Sequence, residues 1–293
     1  MARGRELFPA DRGLQARMVL AAVVTPLLVI AAVVATVLVM PHKVAIYLLI
    51  AGAFGVILAI RAAMAQASTS PVSVERAPEL HAVTERLCTA ASLPKPDIYL
   101  ESERQPNSWV VARPRRRAEL HVTTGLVDLL EPAELDAVIA HELAHLANRD
   151  AMVMTVVSGP GAALQEGGTR LMSFHFWLAP GAILAIAIGW VSRLGTNALS
   201  RYRELAADAG GAALTGHPGA LASALRKASG CLDQIPTRDL RAVASRDAFH
   251  LLPVGERDTG TRLTATHPDL ELRIRRLEEM ERRLHNARLP SPH

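Results

Sequence analysis

Apolar and polar positions divide the chain into two kinds of segment. Met18 to Met40 carries no charge. As a helix it would run about 34 Å, enough to cross a bilayer core. Pro41-His42-Lys43 makes a tight turn, and Val44 to Ile60 is a second apolar run closed by Arg61, whose stem can snorkel. Ala151 to Leu164 is apolar again but interrupted by Gly159-Pro160-Gly161, and Phe174 to Val191 is long and nearly free of charge. The pattern predicts a transmembrane hairpin over 18–61 and a second apolar hairpin, spanning or re-entrant, over 151–193. His175, at the mouth of the latter, reads as an interfacial residue.

Elsewhere the periodicity is that of a soluble α+β unit. Ala65 to Val74 is a Ser/Thr/Pro linker. Glu75 to Ser92 predicts an amphipathic helix, with Leu80, Val83, Leu87 and Cys88 on its apolar side and Pro94 and Pro96 beyond its end. Asp97 to Leu100 and Asn107 to Ala112 are short strand candidates. Glu119 to Thr124 alternates polar and apolar residues and predicts a strand that Gly125 breaks. Glu131-Pro132 then opens a helix, with Leu135, Val138, Ile139, Leu143 and Leu146 at helical spacing. A further helix is expected over Asn197 to Thr215, and a charged one over Asp269 to Leu289.

Charge adds orientation. Net charge is +4 in a chain that is 50% hydrophobic and only 4% aromatic. Arg3, Arg5, Arg12 and Arg17 precede the first span, whereas the hairpin holds only Lys43. The positive-inside rule therefore puts residues 1–17 and everything after Arg61 in the cytoplasm. The run Arg113 to Arg117 is read as a solvated hairpin tip, with anionic headgroups as the other candidate contact. Cys88 and Cys231 lie far apart without C-x-x-C spacing, which argues for a reducing compartment and against a disulfide framework. No nucleic-acid-binding module accompanies the basic balance.

The candidate chemistry lies in the helix after Pro132. His141-Glu142-Leu143-Ala144-His145 is an H-E-x-x-H pattern. Two histidines four apart on a helix project from one face and can share a tetrahedral zinc ion, with room for a third protein ligand. Glu142, one step round, can serve as general base. Farther on, Glu204 and Asp208 are also four apart. On spacing alone they are either a solvated acidic side, neutralised by Arg201 and Arg203, or a third zinc ligand with a carboxylate that orients a zinc-bound histidine. Ala206, Ala207, Ala209, Gly210 and Gly211 would let this helix approach the histidine helix closely.

Several longer stretches resemble one family in sequence and in order. NSWVVARPRRRAELHVTTGLVDLL, AVIAHELAHLANRD, SRYRELAADAGGAALTG and THPDLELRIRRL are similar to the HtpX family of membrane-bound zinc metallopeptidases, relatives of the CaaX prenyl endopeptidases. The resemblance implies one zinc ion per chain, held by His141, His145 and Glu204, with Glu142 as catalytic base and acid. It implies Asp208 as the carboxylate behind the ligands. His267 and Arg273 match the family's H-P-x-x-x-x-R element near the active site, with His267 a candidate oxyanion donor. Ser108-Trp109 departs from the smaller or different aromatic residues usual at that position, a change that would reshape the substrate groove.

The expected protein is a mainly α integral membrane protein with a zincin-like α+β catalytic domain, built from a small sheet and the H-E-x-x-H helix. Its catalytic domain would comprise 62–150 and 194–293, facing the cytoplasm from a multi-pass position in the inner membrane. Its partners would be the bilayer and protein or peptide substrates, misfolded membrane proteins above all. The resemblance thus implies a role in membrane quality control and the stress response. The strand at Glu119 is expected to border the cleft and pair with extended substrate. A prenyl-peptide protease would need more apolar spans, and a catalytically silent scaffold would have lost a ligand or the base. The charges at Glu131, Glu134, Asp136, Arg149 and Asp150 argue against an intramembrane site.

Overall fold

The computed structural model describes scattered helical positions between 12 and 34, residues 70–112, 117–174 and 179–232, and Leu251, Ala265 and 267–288. The expected turn at 41–43, the apolar run 44–60, the arginines at 113–116 and His175 lie outside the described residues. By internal contact the chain forms two compact units. One comprises 1–14, 70–151 and 200–293, the other 15–69 and 152–199.

The first unit is mostly helical around a three-stranded sheet. Its first elements are α1 (Pro78–Ala91), β1 (Asp97–Glu101), β2 (Ser108–Val111), β3 (Glu119–Thr123), α2 (Thr124–Leu129) and α3 (Pro132–Ala147). After α4 (Asp150–Phe174) and α5 (Ala179–Thr215) come α6 (Pro218–Leu232) and α7 (Leu270–Arg288). α3 packs against α1, β2 and α6, and α7 packs against α6. Leu87 of α1, Ile98 and Leu120 of the sheet, Ile139 and Leu143 of α3, Leu225 of α6 and Leu277 of α7 share one core. Each such side chain contributes about 1.5–3 kcal/mol when fully buried.

Local signals place these elements. Pro78 starts α1 at a position where no amide hydrogen is needed. Ser92 ends it in the left-handed region at φ 52°, where Leu93 N–H closes onto Cys88 O at 2.9 Å. Thr123 caps α2 by accepting from Leu126 N–H. Pro132 opens α3, and Glu134 Oε2 accepts from Glu131 N–H at 2.9 Å, as in a capping box. Cys88 and Cys231 are both free.

The sheet departs from the sequence expectation. Its order is β1-β3-β2, with β1 parallel and β2 antiparallel to β3. β3 is therefore central, and both of its edges are already paired. It cannot take a substrate strand, and the edge strand beside α3 is β2. All five residues of β3 are buried, its polar positions included. His121 stacks between Tyr99 and Trp109, with ring centroids 4.7 and 5.0 Å away, and its Nδ1 lies 2.8 Å from Glu101 Oε1. The alternation in β3 thus separates an apolar core face from a buried polar face, not from solvent.

The second unit contains most of α4 and the apolar half of α5. Gly159-Pro160-Gly161 does not interrupt α4, which runs unbroken for 25 residues. The apolar run after Phe174 and the helix expected from Asn197 are likewise joined, in a single 37-residue α5. A Cβ on Gly161 would lie 2.7 Å from Ser192 Cβ, so the two helices approach within a distance that only glycine permits. Among the described residues, one helix, Ala182–Thr215, is long and apolar enough to cross a membrane. Its Ile183 and Val191, and Val19, Leu20 and Leu27 near the N-terminus, are exposed apolar side chains.

Glu134 tests the coupling of α3 to α6. Besides Glu131 N–H it accepts from Ser223 Oγ at 2.6 Å and Lys227 Nζ at 2.8 Å. Burial raises its pKa, but the bonds from Lys227 and Ser223 outweigh this and hold it below the usual 4.5. Glu134→Ala should lower stability by about 1–3 kcal/mol, read by thermal unfolding of the detergent-solubilised chain. A folded pKa below the unfolded one stabilises fully above the unfolded value and fades as pH falls through the folded value. The gap between variant and wild type should therefore narrow on acidification.

Candidate metal centre and active site

The site is built where α3 meets α5. His141 is fully buried and His145 largely so. Their rings lie perpendicular, with centroids 4.8 Å apart and the two Nε2 atoms 3.2 Å apart. Each ring's other nitrogen faces a carboxylate: His141 Nδ1 lies 3.0 Å from Asp208 Oδ1, and His145 Nδ1 lies 2.6 Å from Asp150 Oδ2. The contact to Asp208 is off-line for a full hydrogen bond. Carboxylates at both Nδ1 positions favour the tautomer with its proton there, which turns two Nε2 lone pairs toward one point. Two lone pairs that close are reconciled by a proton on one of them or by a cation bound to both.

Glu204 brings a third donor to the same point. Its Oε2 lies 3.6 Å from His141 Nε2 and its Oε1 lies 3.4 Å from His145 Nε2. Ligand atoms of His141, His145 and Glu204 all fall within 4.8 Å of one another. Glu204 Oε2 is buried without a hydrogen-bond partner among the described residues. Burial lowers the pKa of His141, but Asp208 and Glu204 outweigh it and raise the imidazole to about 9. The surroundings thus stabilise positive charge at this spot. Two imidazoles and a carboxylate, one of whose buried oxygens is orphaned, are a donor set that fits a zinc ion.

Gly211 makes the convergence possible. A Cβ there would lie 2.9 Å from the backbone nitrogen of His141 and 3.0 Å from its Cα. The two backbones therefore touch where the histidines begin, and Glu204 and Asp208 reach across.

Glu142 is buried beside this point, and Ser108 Oγ donates to its Oε1 at 2.6 Å. Burial raises its pKa, while His141, His145 and Ser108 offset part of that effect. Behind the ligands, Arg273 grips Asp208 in a two-pronged fork, Nε to Oδ2 at 2.9 Å and Nη2 to Oδ1 at 2.8 Å. Its Nη1 donates to Leu251 O and lies 3.6 Å from Glu204 Oε2. His267 is buried with Nδ1 3.8 Å from Glu204 Oε2. The structure therefore gathers His141, Glu142, His145, Glu204, Asp208, His267 and Arg273 into one buried cluster.

Three further residues belong to it that sequence reasoning missed. Asp150 is five residues beyond His145, about 140° away on an unbroken helix. It reaches His145 only because Arg149 turns the chain at φ 58°. Arg203 Nε lies 3.1 Å from Asp150 Oδ2. Ser108, noted in the sequence only as a departure in the groove, is the hydrogen-bond donor to Glu142. A cavity opens onto Glu142, His145 and Glu204, with Asp150, Arg203 and Leu146 also in its wall. Val110 and Ala112, in and just after β2, complete the lining.

The family model for peptidase family M48 matches residues 74–281. The chain is 40% identical over 232 residues to Protease HtpX homolog 2 of Methanosarcina mazei, covering 73% of this chain and 76% of the relative. It is 41% identical over 234 residues to the Protease HtpX homolog of Moorella thermoacetica, covering 74% and 77%. It is 42% identical over 233 residues to Protease HtpX homolog 1 of Streptomyces coelicolor, covering 75% and 76%. No solved structure matches.

Gly211→Ala should separate α3 from α5 without touching a ligand. The expected cost is about 1–3 kcal/mol of strain. The decisive measurement is metal content of the purified chain by elemental analysis, which should fall well below that of wild type. A variant that keeps its full metal complement would show that the backbone contact does not set the site.

Proposed function

Because the chain belongs to peptidase family M48 and is a metalloprotease, we propose that it is a membrane-bound zinc endopeptidase acting on the cytoplasmic side, in quality control of misfolded membrane proteins. The observation that carries this reading is the convergence of both Nε2 atoms and the orphaned Glu204 oxygen beside a buried glutamate.

In this reading His141, His145 and Glu204 hold one zinc ion. When bound, zinc supplies the Lewis acidity that polarises the scissile carbonyl and acidifies the attacking water. Asp208 and Asp150 fix the imidazole tautomers, and Arg273 anchors Asp208. Ser108 occupies Glu142 Oε1, which leaves Oε2 to take the water's proton and pass it to the leaving amine. His267, against Glu204, is the candidate oxyanion donor.

Substrate would lie along β2. Thr123 N–H bonds Asn107 O, so in the antiparallel alternation residues 107, 109 and 111 face β3, while 108 and 110 face outward. Ser108 N–H is taken by Asn107 Oδ1, and its carbonyl accepts from Leu251 N–H. Val110, at the cavity, offers the next outward N–H and C=O. Pairing through backbone groups suits broad sequence tolerance.

The membrane placement is supported by the long apolar α5, by exposed apolar side chains in the N-terminal helix, and by the arginine asymmetry. It assigns 18–61 and 151–193 to the membrane and 62–150 with 194–293 to the catalytic domain. The second compact unit, 15–69 and 152–199, supports that division.

Detergent-purified chain should cleave casein, lose activity to a chelator and regain it with zinc. Glu142→Gln should cost on the order of 10²–10⁴ in rate with zinc retained. Activity surviving that substitution would remove the mechanism, and an inert zinc-loaded wild type would favour a scaffold. For topology, Glu85→Cys on exposed α1 should resist a membrane-impermeant thiol reagent in intact cells and react after lysis. Labelling from outside would reverse the orientation.

A further inference from the structure

Arg203 is the one guanidinium in the cavity wall, and among the described residues the fold leaves part of its hydrogen-bonding capacity unspent. It precedes Glu204 on α5, and its side chain is 4% exposed. Asp150 balances its charge with Nε–Oδ2 at 3.1 Å, but neither Nε nor Nη1 has a hydrogen-bond partner among the described residues. A guanidinium carries five donors in a rigid plane, and leaving buried donors unmade is costly. Such a cost is sustained where an incoming group supplies the acceptor.

The position of Arg203 specifies that group. Arg203 shares the cavity with Glu142, His145 and Glu204, and with the outward backbone of β2 at Val110. Any peptide in that cavity brings main-chain carbonyl oxygens whatever its side chains, and in an extended chain they project alternately to either side. We propose that Arg203 is a substrate-binding residue whose free guanidinium donors take a main-chain carbonyl oxygen of the peptide, opposite the strand edge of β2. This rests on the metallopeptidase reading above. It gives the cleft two backbone-directed grips, one on β2 and one on α5, neither of which reads side chains. Asp150 then has two duties: it orients His145 and aims Arg203.

Two ligands separate this role from a structural one. Acetohydroxamic acid offers a metal-binding group alone, whereas a hydroxamate extended by a dipeptide amide adds main-chain carbonyls. Their affinities are measured on the zinc-loaded full chain in detergent, for wild type, Arg203→Gln and Arg203→Lys, alongside zinc content. Per zinc-loaded chain, Arg203→Gln should weaken the dipeptide hydroxamate on the order of 10–100-fold more than it weakens acetohydroxamic acid, as expected for a lost hydrogen bond to a charged donor. Arg203→Lys should recover part of the loss. For peptide hydrolysis, KM should rise with kcat largely kept, the mark of uniform binding. Equal weakening of both ligands would mean that Arg203 serves only to hold Asp150 and His145, and the proposal falls. Unchanged affinity for the dipeptide hydroxamate also overturns it. A zinc-loaded wild type that binds neither ligand overturns the metal-centre reading, and the carbonyl grip with it.

Discussion

Everything at the site depends on balancing charge out of contact with water. Glu142, Asp150, Glu204 and Asp208 are all buried, and the guanidiniums buried with them are Arg203 and Arg273. With the imidazoles neutral, as metal ligation requires, and all four acids ionised, the cluster would carry two negative charges in excess, the charge of one divalent cation. Isolated buried charges cost several kcal/mol each, so such a cluster persists only when each member has a partner of opposite sign. The fork from Arg273 to Asp208, the pairing of Asp150 with Arg203, and the cation-seeking Nε2 pair are therefore parts of one electrostatic arrangement.

The chain closes this arrangement by a detour. His145 ends the sequence-local half, and Glu204 opens the other half after residues 152–199 have built a separate unit. α4 leaves the first unit at Ala151, and α5 returns at Ser200. Both are single unbroken helices despite Gly159-Pro160-Gly161 in one and the long apolar run in the other. Within the second unit α5 packs on α4 at Gly189, where a Cβ would come within 2.8 Å of the Gly161 carbonyl.

In the proposed reading substrate recognition has the same two-sided origin. β2 is an edge strand of a sheet whose central strand is paired on both sides, and Arg203 belongs to the helix that also carries Glu204. A cleft between that strand edge and a helix carrying a proposed metal ligand would couple the grip on the peptide backbone to the position of the metal.

The amino-acid sequence by itself determined what rests on local spacing. Pro132 and the capping pair Glu131 and Glu134 start α3, the four-residue interval puts His141 and His145 on one face, and Glu204 and Asp208 share another. Longer motifs extended this to the family, because those stretches recur together and in order. Tertiary structure decided what spacing does not encode. Asp150 reaches His145 through a single left-handed residue, and Ser108 reaches Glu142 across the sheet. β3 is central because β2 and β1 flank it, although its alternation reads as a half-exposed strand. Whether two acids on a helix are solvated or buried is not a property of that helix. It is decided by what lies opposite, and here that is His141, set against Gly211 so closely that no side chain fits between.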